Sequence, residues 1–211
     1  MTKKTLLSVL AALTASISAF AQQIPAPTQP SAGLLGQRYA DVSFGAQDFH
    51  GFSDNAYGLG VGASLPFNES LDVGFGYGYN WLDSNAELRS QTLSTSATAY
   101  THYKGVKPFV GAALGYQWTK TKFSTFSVKN HDWVWGLGVG VEVPVGVITL
   151  TPSIGYADTF DGGGNGYYTT GIEANHWFTK TVAGYADVSF SDVRGSGGES
   201  WLYSIGVRVK F

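Results

Sequence analysis

The stretch DWVWGLGVGVEVP, residues 132–144, alternates large apolar side chains with small or polar ones. A period of two residues predicts a β-strand, because successive side chains of a strand point to opposite faces. One face of this strand carries Trp133 and Trp135 followed by leucine and valines, and the other face carries three glycines at its centre. The fold must therefore place bulky apolar groups on one side of the strand and almost nothing on the other.

The same alternation recurs through the sequence and predicts ten strands. It is clearest in SLDVGFGYGYNW (70–81) and in SWLYSIGVRVKF (200–211). The predicted strands are 37–47, 56–66, 70–82, 90–103, 107–118, 132–144, 147–158, 167–178, 181–191 and 200–211. Pro152 falls inside one of them, where its missing ladder hydrogen bond predicts a bulge.

The composition excludes several classes of function. The chain has 211 residues and a net charge of −2, which gives no electrostatic basis for binding nucleic acid. It has no cysteine, which excludes disulfides, thiolate metal sites and thiol catalysis. Charged residues make up 13% of the chain and aromatic residues 15%, with 28 glycines. A soluble domain has about 25% charged residues, so this balance is not that of an ordinary soluble protein.

The N-terminus predicts export. A basic MTKK start, an apolar run and the small-x-small sequence AFA at 19–21 are typical of a cleaved secretory signal peptide. We predict a signal peptide over residues 1–21, a flexible periplasmic leader over 22–34 and a barrel over 35–211.

Two soluble β-architectures fit the alternation less well than a membrane barrel. A lipocalin-like barrel points its apolar face inward and carries charges outside, and a β-sandwich also leaves a charge-rich face in water. Here the second face is mostly Gly, Ser, Thr and Ala. A transmembrane barrel has apolar residues outward toward lipid and small or polar residues inward. The sequence therefore predicts an all-β fold, a closed antiparallel up-and-down transmembrane β-barrel.

The predicted dimensions and connections agree with a bilayer. From Trp133 to Val143 the strand is about 36 Å long at ~3.3 Å per residue. A tilt of about 40° leaves roughly 27 Å along the membrane normal, close to the ~25 Å apolar band of such barrels. Short turns alternate with longer connections near 48–55, 83–89, 119–131, 159–166 and 192–199. Short turns are periplasmic in these barrels, so both termini are expected on the periplasmic side.

The last predicted strand, YSIGVRVKF (203–211), alternates apolar residues and ends on Phe211. From about Leu35 to Phe211 the chain resembles the small bacterial outer-membrane β-barrels, OmpA-like and opacity-protein-like. The resemblance implies a location in the bacterial outer membrane, contact with its lipid and lipopolysaccharide, and Phe211 as the signal that the barrel-assembly machinery reads. Many members of that group have eight strands, so eight is the alternative to ten.

No catalytic, cofactor-binding or metal-ligating cluster stands out, so we expect neither an enzyme nor a cofactor. An aspartate–histidine protease site could be imitated by His131-Asp132 together with Asp83 and Asp161 on neighbouring loops. Such a site needs a defined second pair of carboxylates, and the spacing of the acidic residues here does not single one out. The expected role is structural, or a surface interaction with a ligand through the external loops. A narrow passive pore for small solutes is the alternative, and an outer-membrane hydrolase is a more remote one.

Three lysines stand out in the third external loop. Lys120, Lys122 and Lys129 occur without an acidic residue until Asp132. Lipopolysaccharide phosphates lie at that level of the membrane, and lysine binds phosphate as a point charge. The sequence predicts that these lysines contact lipopolysaccharide, with ordinary solvated loop charges as the alternative.

The inward positions of the strands gather charges in the lumen. They are Asp41, Glu173, Asp187, Arg208 and Lys210. Closure makes the tenth strand a neighbour of the ninth and the first, so Arg208 is expected between Asp187 and Asp41. Its planar guanidinium can engage two carboxylates, and charges in so narrow an interior should be paired. We therefore predict a lumen closed by this network.

Overall fold

The barrel is all β. The computed structural model describes residues 33–50, 55–82, 87–122, 126–160, 166–194 and 198–211. The strands are β1 (Tyr39–Phe49), β2 (Ala56–Asn68), β3 (Leu71–Leu82), β4 (Glu87–Tyr100), β5 (Lys107–Lys122), β6 (Ser127–Val145), β7 (Ile148–Thr159), β8 (Tyr167–Trp177), β9 (Val182–Val193) and β10 (Gly198–Lys210). Within the described ranges, no helix has the length and apolar character to cross a membrane.

The sheet closes because β1 pairs with β10. Eleven consecutive residue pairs join these strands, from Tyr39↔Lys210 to Phe49↔Ser200. Every other pairing joins strands that are adjacent in sequence. The barrel has ten strands, so the prediction from the alternation is confirmed and the eight-strand alternative is wrong. We call the end that carries Tyr39 and Lys210 the terminal end, and the opposite end the loop end.

The side chains are distributed the opposite way from those of a soluble protein. Large apolar side chains on the outer wall are exposed, among them Val42 (56%), Phe75 (54%) and Ile205 (63%). Inward-facing polar side chains are buried, and Asn80 and Asn175 are 0% exposed. Apolar groups outside and polar groups inside are the arrangement of a transmembrane barrel whose wall meets lipid.

Aromatic side chains form a belt on the outer wall toward the loop end. Tyr116 contacts Trp118 and Trp133, with ring centroids 4.8 and 5.1 Å apart. On the other side of the barrel, Phe190 and Trp201 lie 5.3 Å apart. Such rings place an apolar body in lipid and a polar tip in water, so the belt marks the membrane–water interface.

The connection predicted at 119–131 is mostly strand. β5 and β6 remain paired as far as Lys122↔Ser127. The polar composition conceals an alternation in which Thr119 and Thr121 face inward, 7% and 3% exposed, while the lysines face outward. As a result, connections at the loop end have four to seven residues, against two to six at the terminal end. The difference in length is smaller than predicted.

Pro152 interrupts the β6–β7 ladder without shifting it. The ladder is broken between the pairs Gly140↔Ser153 and Val143↔Leu150, which keep one register. The predicted bulge is therefore wrong. Proline lacks the N–H that would donate to the ladder, so hydrogen bonds are lost at this point. The ladder resumes in the same register, without the extra residue that a bulge would insert.

Residues 33–36 do not behave as a flexible leader. Leu34 and Leu35 are both 0% exposed, bound inside the terminal end of the barrel. Residues 33 and 34, the last two of the predicted leader, thus lie inside the barrel beside Leu35. The predicted signal peptide (1–21) and the rest of the leader up to residue 32 lie outside the described residues.

The terminal end is expected to face the periplasm. Because the chain has no cysteine, single substitutions can report the sidedness of each end. Ser127→Cys lies at the loop end, and Val147→Cys lies in a terminal-end turn where the native side chain is 70% exposed. A bulky, membrane-impermeant maleimide added to intact cells should label Ser127→Cys at once, but Val147→Cys only after the outer membrane is permeabilised. The reverse pattern would overturn this orientation.

Candidate functional site

Arg208 and Glu173 form a buried ion pair inside the barrel. Arg208 Nη1 donates to Glu173 Oε1 and Nη2 donates to Oε2, both at 2.6 Å. The residues are 4% and 8% exposed, and they lie on β10 and β8 with β9 between them. A bidentate arginine–carboxylate pair is among the stronger and more directional hydrogen-bonded contacts in proteins. It therefore ties together two strands that are not neighbours in the sheet.

Two aromatic rings and an amide surround the guanidinium. Arg208 Cζ lies 3.8 Å from the ring centroid of Tyr185 and 5.5 Å from that of Tyr39. Arg208 Nη1 also donates to Asn175 Oδ1 at 3.3 Å. Cation–π contacts strengthen when water is excluded, and Tyr39 is fully buried. These groups fill much of the lumen at the terminal end.

The aspartates predicted to flank Arg208 are arranged differently from expectation. Asp41 is the direct partner of Arg208 in the β1–β10 register. The guanidinium nevertheless uses both nitrogens on Glu173 instead of bridging Asp41 and Asp187. Asp187 accepts a hydrogen bond from Ser189 Oγ at 3.3 Å. The Glu173 side chain is longer than that of an aspartate and reaches across β9 to Arg208. The order of the strands in the sheet does not reveal this contact, because β8 and β10 are not neighbours.

Lys210, also predicted in the network, lies apart from the Arg208–Glu173 pair. Its Nζ lies 3.8 Å from the ring centroid of Trp177. Trp177 occupies an inward position of β8, in line with Glu173. The lysine–tryptophan contact lies at the mouth of the lumen.

Glu142 binds the segment formed by residues 33–36, which we name the N-terminal plug. Its Oε2 accepts hydrogen bonds from the backbone N–H groups of Leu34 at 2.6 Å and Leu35 at 3.2 Å. Glu142 is 2% exposed. Gly33 lies so close that a Cβ added there would overlap the Glu142 carboxylate. The plug and this carboxylate are therefore fitted closely to one another.

Asp72 and Lys107 complete the polar contacts of the N-terminal plug. Asp72 Oδ2 accepts from the Gly36 N–H at 2.9 Å, and Lys107 Nζ donates to the Leu35 carbonyl oxygen at 3.0 Å. Lys107 also opposes Glu142 in the β5–β6 register. These bonds satisfy polar groups that would otherwise be buried alone. All three charged side chains occupy inward positions of the alternation, but the predicted lumen network does not include them, and nothing in the sequence indicates that they bind this segment.

A cavity of about 160 Å³ lies in the middle of the lumen. Asp41 and Arg208 border it, and much of the remaining wall is glycine and serine. The glycines reflect crowding of the interior. A Cβ on Gly140, for example, would lie 2.5 Å from Phe109 Cζ and 2.7 Å from the backbone oxygen of Pro152.

Apolar side chains fill the lumen toward the loop end. Inward residues of β1–β4 form one buried cluster and those of β7–β9 form another. Their members are Phe49, Ala56, Leu82 and Leu88 in the first, and Ala157, Tyr167 and Val193 in the second. The lumen thus passes from apolar packing, through a polar cavity, to the charged pair and the N-terminal plug. The sequence predicts a small and polar interior throughout, so the apolar clusters are a departure from that prediction.

The predicted lysines lie on the outer wall of the loop end. Lys120 and Lys129 are direct partners in the β5–β6 register, and Arg89 of β4 opposes Lys120 on its other side. Lys122 is separated from them, because its Nζ lies 3.2 Å from Glu87 Oε1 in an exposed ion pair. The arginine was missed because residue 89 falls in the connection predicted at 83–89, whereas β4 begins at Glu87.

His131 and Asp132 do not form a joint site. His131 faces outward, with its ring centroid 6.1 Å from that of Tyr116, whereas Asp132 takes the opposite, inward position of β6. Neighbouring side chains of a strand point to opposite faces. Asp83 and Asp161 lie outside the described residues. In the part of the chain that the structure describes, no three His, Cys, Asp or Glu side chains are grouped to hold a metal ion.

A family model described as "Outer membrane protein beta-barrel domain" matches residues 7–176. No curated protein sequence matches the chain. Among solved structures, the chain is similar to the transport unit of the autotransporter AIDA-I from Escherichia coli, with 12% identity, a TM-score of 0.57 and 100% of both chains covered. It is similar to the translocator domain of autotransporter NalP from Neisseria meningitidis, with 13% identity, a TM-score of 0.52, and 99% and 98% covered. It is also similar to the NanC porin, with 12% identity, a TM-score of 0.50, and 82% and 100% covered. At these identities the likeness shows the fold alone.

Proposed function

The chain belongs to the family of outer membrane protein β-barrel domains, and from that premise we propose that it is a non-enzymatic, closed barrel whose external face makes its functional contacts. Its place is the outer membrane, which is the location of that family. The support for this role is a lumen that buried side chains crowd at both ends, among the described residues, and an outer wall that offers both apolar and cationic surface.

The observation that carries this proposal is the filled terminal end of the lumen. The Arg208–Glu173 pair is nearly fully buried, and the N-terminal plug is bonded to Glu142, Asp72 and Lys107. Apolar clusters occupy the loop end. A solute that crossed the lumen would have to pass the apolar clusters, the charged pair and the N-terminal plug in turn, so the barrel should be closed to ions.

A narrow passive pore is the second candidate, and the polar cavity of about 160 Å³ is the observation that favours it. The cavity would form the middle of a conducting path if the N-terminal plug and the apolar clusters moved out of the lumen. A hydrolase has less support, because His131 and Asp132 lie on opposite faces of their strand.

Planar-bilayer recordings separate the closed barrel from the pore. Wild-type protein should insert without a steady ionic current, because charged and apolar barriers both obstruct the lumen. Arg208→Ala should raise the leak, because the substitution removes the guanidinium that fills the lumen beside Glu173. A steady wild-type current that this substitution leaves unchanged would reject the closed barrel in favour of the pore.

The assembly machinery is the partner that we propose for the C-terminal residue. Phe211 lies at the terminal rim, 70% exposed, and only its backbone N–H has a described hydrogen bond, to Arg38 O at 3.4 Å. Deletion of Phe211 should lower the yield of membrane-inserted barrel several-fold while removing little packing. Phe67→Ala is the matched control, since Phe67 is a terminal-end aromatic with 73% exposure. Equal membrane yields of the deletion and the wild type would refute the signal role.

A further inference from the structure

The cavity in the middle of the lumen, which we name the lumen cavity, rests on the charged pair. Thr151, Glu173 and Asp187 form a row across β7, β8 and β9 in direct register. Arg208 joins this row through its bonds to Glu173, and Asp41 is the direct partner of Arg208 on β1. All five residues line the cavity. Its floor therefore carries three carboxylates, one guanidinium and one hydroxyl group.

The walls above this floor carry hydroxyl groups that lie across glycines. A Cβ on Gly60 would lie 2.6 Å from Ser43 Oγ, and one on Gly171 would lie 2.7 Å from Ser189 Cβ. Ser153 opposes Gly171 on its other side, and it is exposed although it takes an inward position of β7. An inward side chain is exposed only where the lumen beside it is open. The glycines thus make room for hydroxyl groups that face open space inside the barrel.

Two buried polar atoms on the floor have no hydrogen-bond partner among the described residues. They are Thr151 Oγ1 and Arg208 Nε, in residues that are 3% and 4% exposed. Folded proteins pair almost all of their buried polar groups, because an unpaired one is destabilising. Both residues line the lumen cavity, so a molecule inside it can reach both atoms. The two atoms therefore indicate an occupant with polar groups of its own.

The floor also selects the charge of the occupant. Arg208 Nε can only donate, the carboxylates of Asp41 and Asp187 accept when they are ionised, and the Thr151 hydroxyl does both. The carboxylates would repel an anion, and a simple cation offers no acceptor to the guanidinium. A neutral molecule with several hydroxyl groups can donate to the carboxylates and accept from Arg208 at the same time.

We propose that the lumen cavity binds one small neutral polyol. Its volume of about 160 Å³ is similar to that of a ~150 Å³ protein cavity that holds one benzene molecule, so a polyol of the size of glycerol fits. Apolar clusters crowd the loop end, which places the way in at the terminal end, past the N-terminal plug. The lumen cavity is then a dead-end site, and its occupancy depends on neither conductance nor the external contacts of the barrel.

Equilibrium dialysis of the folded barrel in detergent against radiolabelled probes tests the site. The probes are glycerol, its cationic analogue serinol and its anionic analogue glycerate, which are alike in size. The barrel is first refolded from urea in the presence of each probe, so that the N-terminal plug does not limit entry. Wild-type protein should take up glycerol saturably, to one molecule per barrel. Serinol and glycerate should bind at least about tenfold more weakly, since each leaves a polar group of the floor poorly matched.

Three variants locate the uptake. Thr151→Val removes the floor hydroxyl at nearly constant volume and should weaken glycerol binding about three- to tenfold, the contribution of one neutral hydrogen bond. Thr92→Val is the matched control and should bind like the wild type. Thr92 is 0% exposed and its hydroxyl has no partner among the described residues, but it does not line the cavity. Ser153→Leu fills the cavity and should abolish saturable uptake.

Several outcomes would overturn the proposal. No saturable uptake by the wild type would mean that water alone fills the lumen cavity. Serinol or glycerate binding as tightly as glycerol would reject a neutral ligand. Uptake that Ser153→Leu leaves unchanged would place glycerol elsewhere. If Ser153→Leu failed to fold, Thr151→Val would still decide, because it removes an unpaired buried hydroxyl and should fold; glycerol affinity equal to that of Thr92→Val would reject the site.

Discussion

Arg208→Ala is expected to lower the free energy of unfolding by about 3–5 kcal/mol, because it leaves the Glu173 carboxylate buried without its partner. The loss is large for two reasons. Both side chains are nearly fully buried, and both nitrogens of the fork bond to one carboxylate at 2.6 Å. Urea unfolding in lipid vesicles, followed by tryptophan fluorescence and by gel mobility of the folded barrel, measures the change.

Two matched variants show whether the loss comes from the orphaned charge. Replacing the pair together, Arg208→Met with Glu173→Leu, should recover most of the stability, since apolar side chains of similar volume often substitute well for a buried pair. Lys122→Ala breaks the exposed pair with Glu87 and should cost at most about 1 kcal/mol. If Arg208→Ala were no more costly than Lys122→Ala, the buried pair would not hold the terminal end together.

The sequence predicts the barrel well because a period of two residues assigns each side chain to a face. That assignment alone places Arg208, Glu173 and Asp41 in the lumen. Closure then makes β1 and β10 neighbours, and the observed partnership of Asp41 with Arg208 in the register follows from it. Whether a side chain faces the lumen or the lipid depends only on its position along its own strand, so the sequence pattern reveals it.

The choice of partner is not local, and the pattern does not reveal it. Which carboxylate Arg208 meets depends on side-chain length and on the curvature that brings β8 toward β10. The N-terminal plug escapes prediction for a related reason. GLLG at 33–36 has no alternation of its own, and its structure comes from carboxylates on distant strands. Polar composition also hid the strand ends around residues 119–131, because threonine facing inward looks like loop sequence.

Glu142→Ala should release the N-terminal plug from the lumen without unfolding the barrel. The Glu142 carboxylate holds two backbone N–H groups, at 2.6 and 3.2 Å, and hydrogen bonds to a charged group contribute about 1.5–3 kcal/mol each. Loss of even one such bond should raise the population of released plug about tenfold, and loss of both should raise it further.

Labelling of a cysteine placed in the plug measures its release. Leu34 is 0% exposed and the chain has no other thiol, so Leu34→Cys should react slowly with a maleimide in the folded barrel. Adding Glu142→Ala should speed the reaction at least about tenfold, because the bonds that keep the segment inside are gone. Adding Glu87→Ala, an acidic residue at the loop end in an exposed pair, should leave the rate unchanged. Equal rates with and without Glu142, in barrels whose gel mobility shows that they remain folded, would mean that apolar burial of Leu34 and Leu35 alone retains the plug.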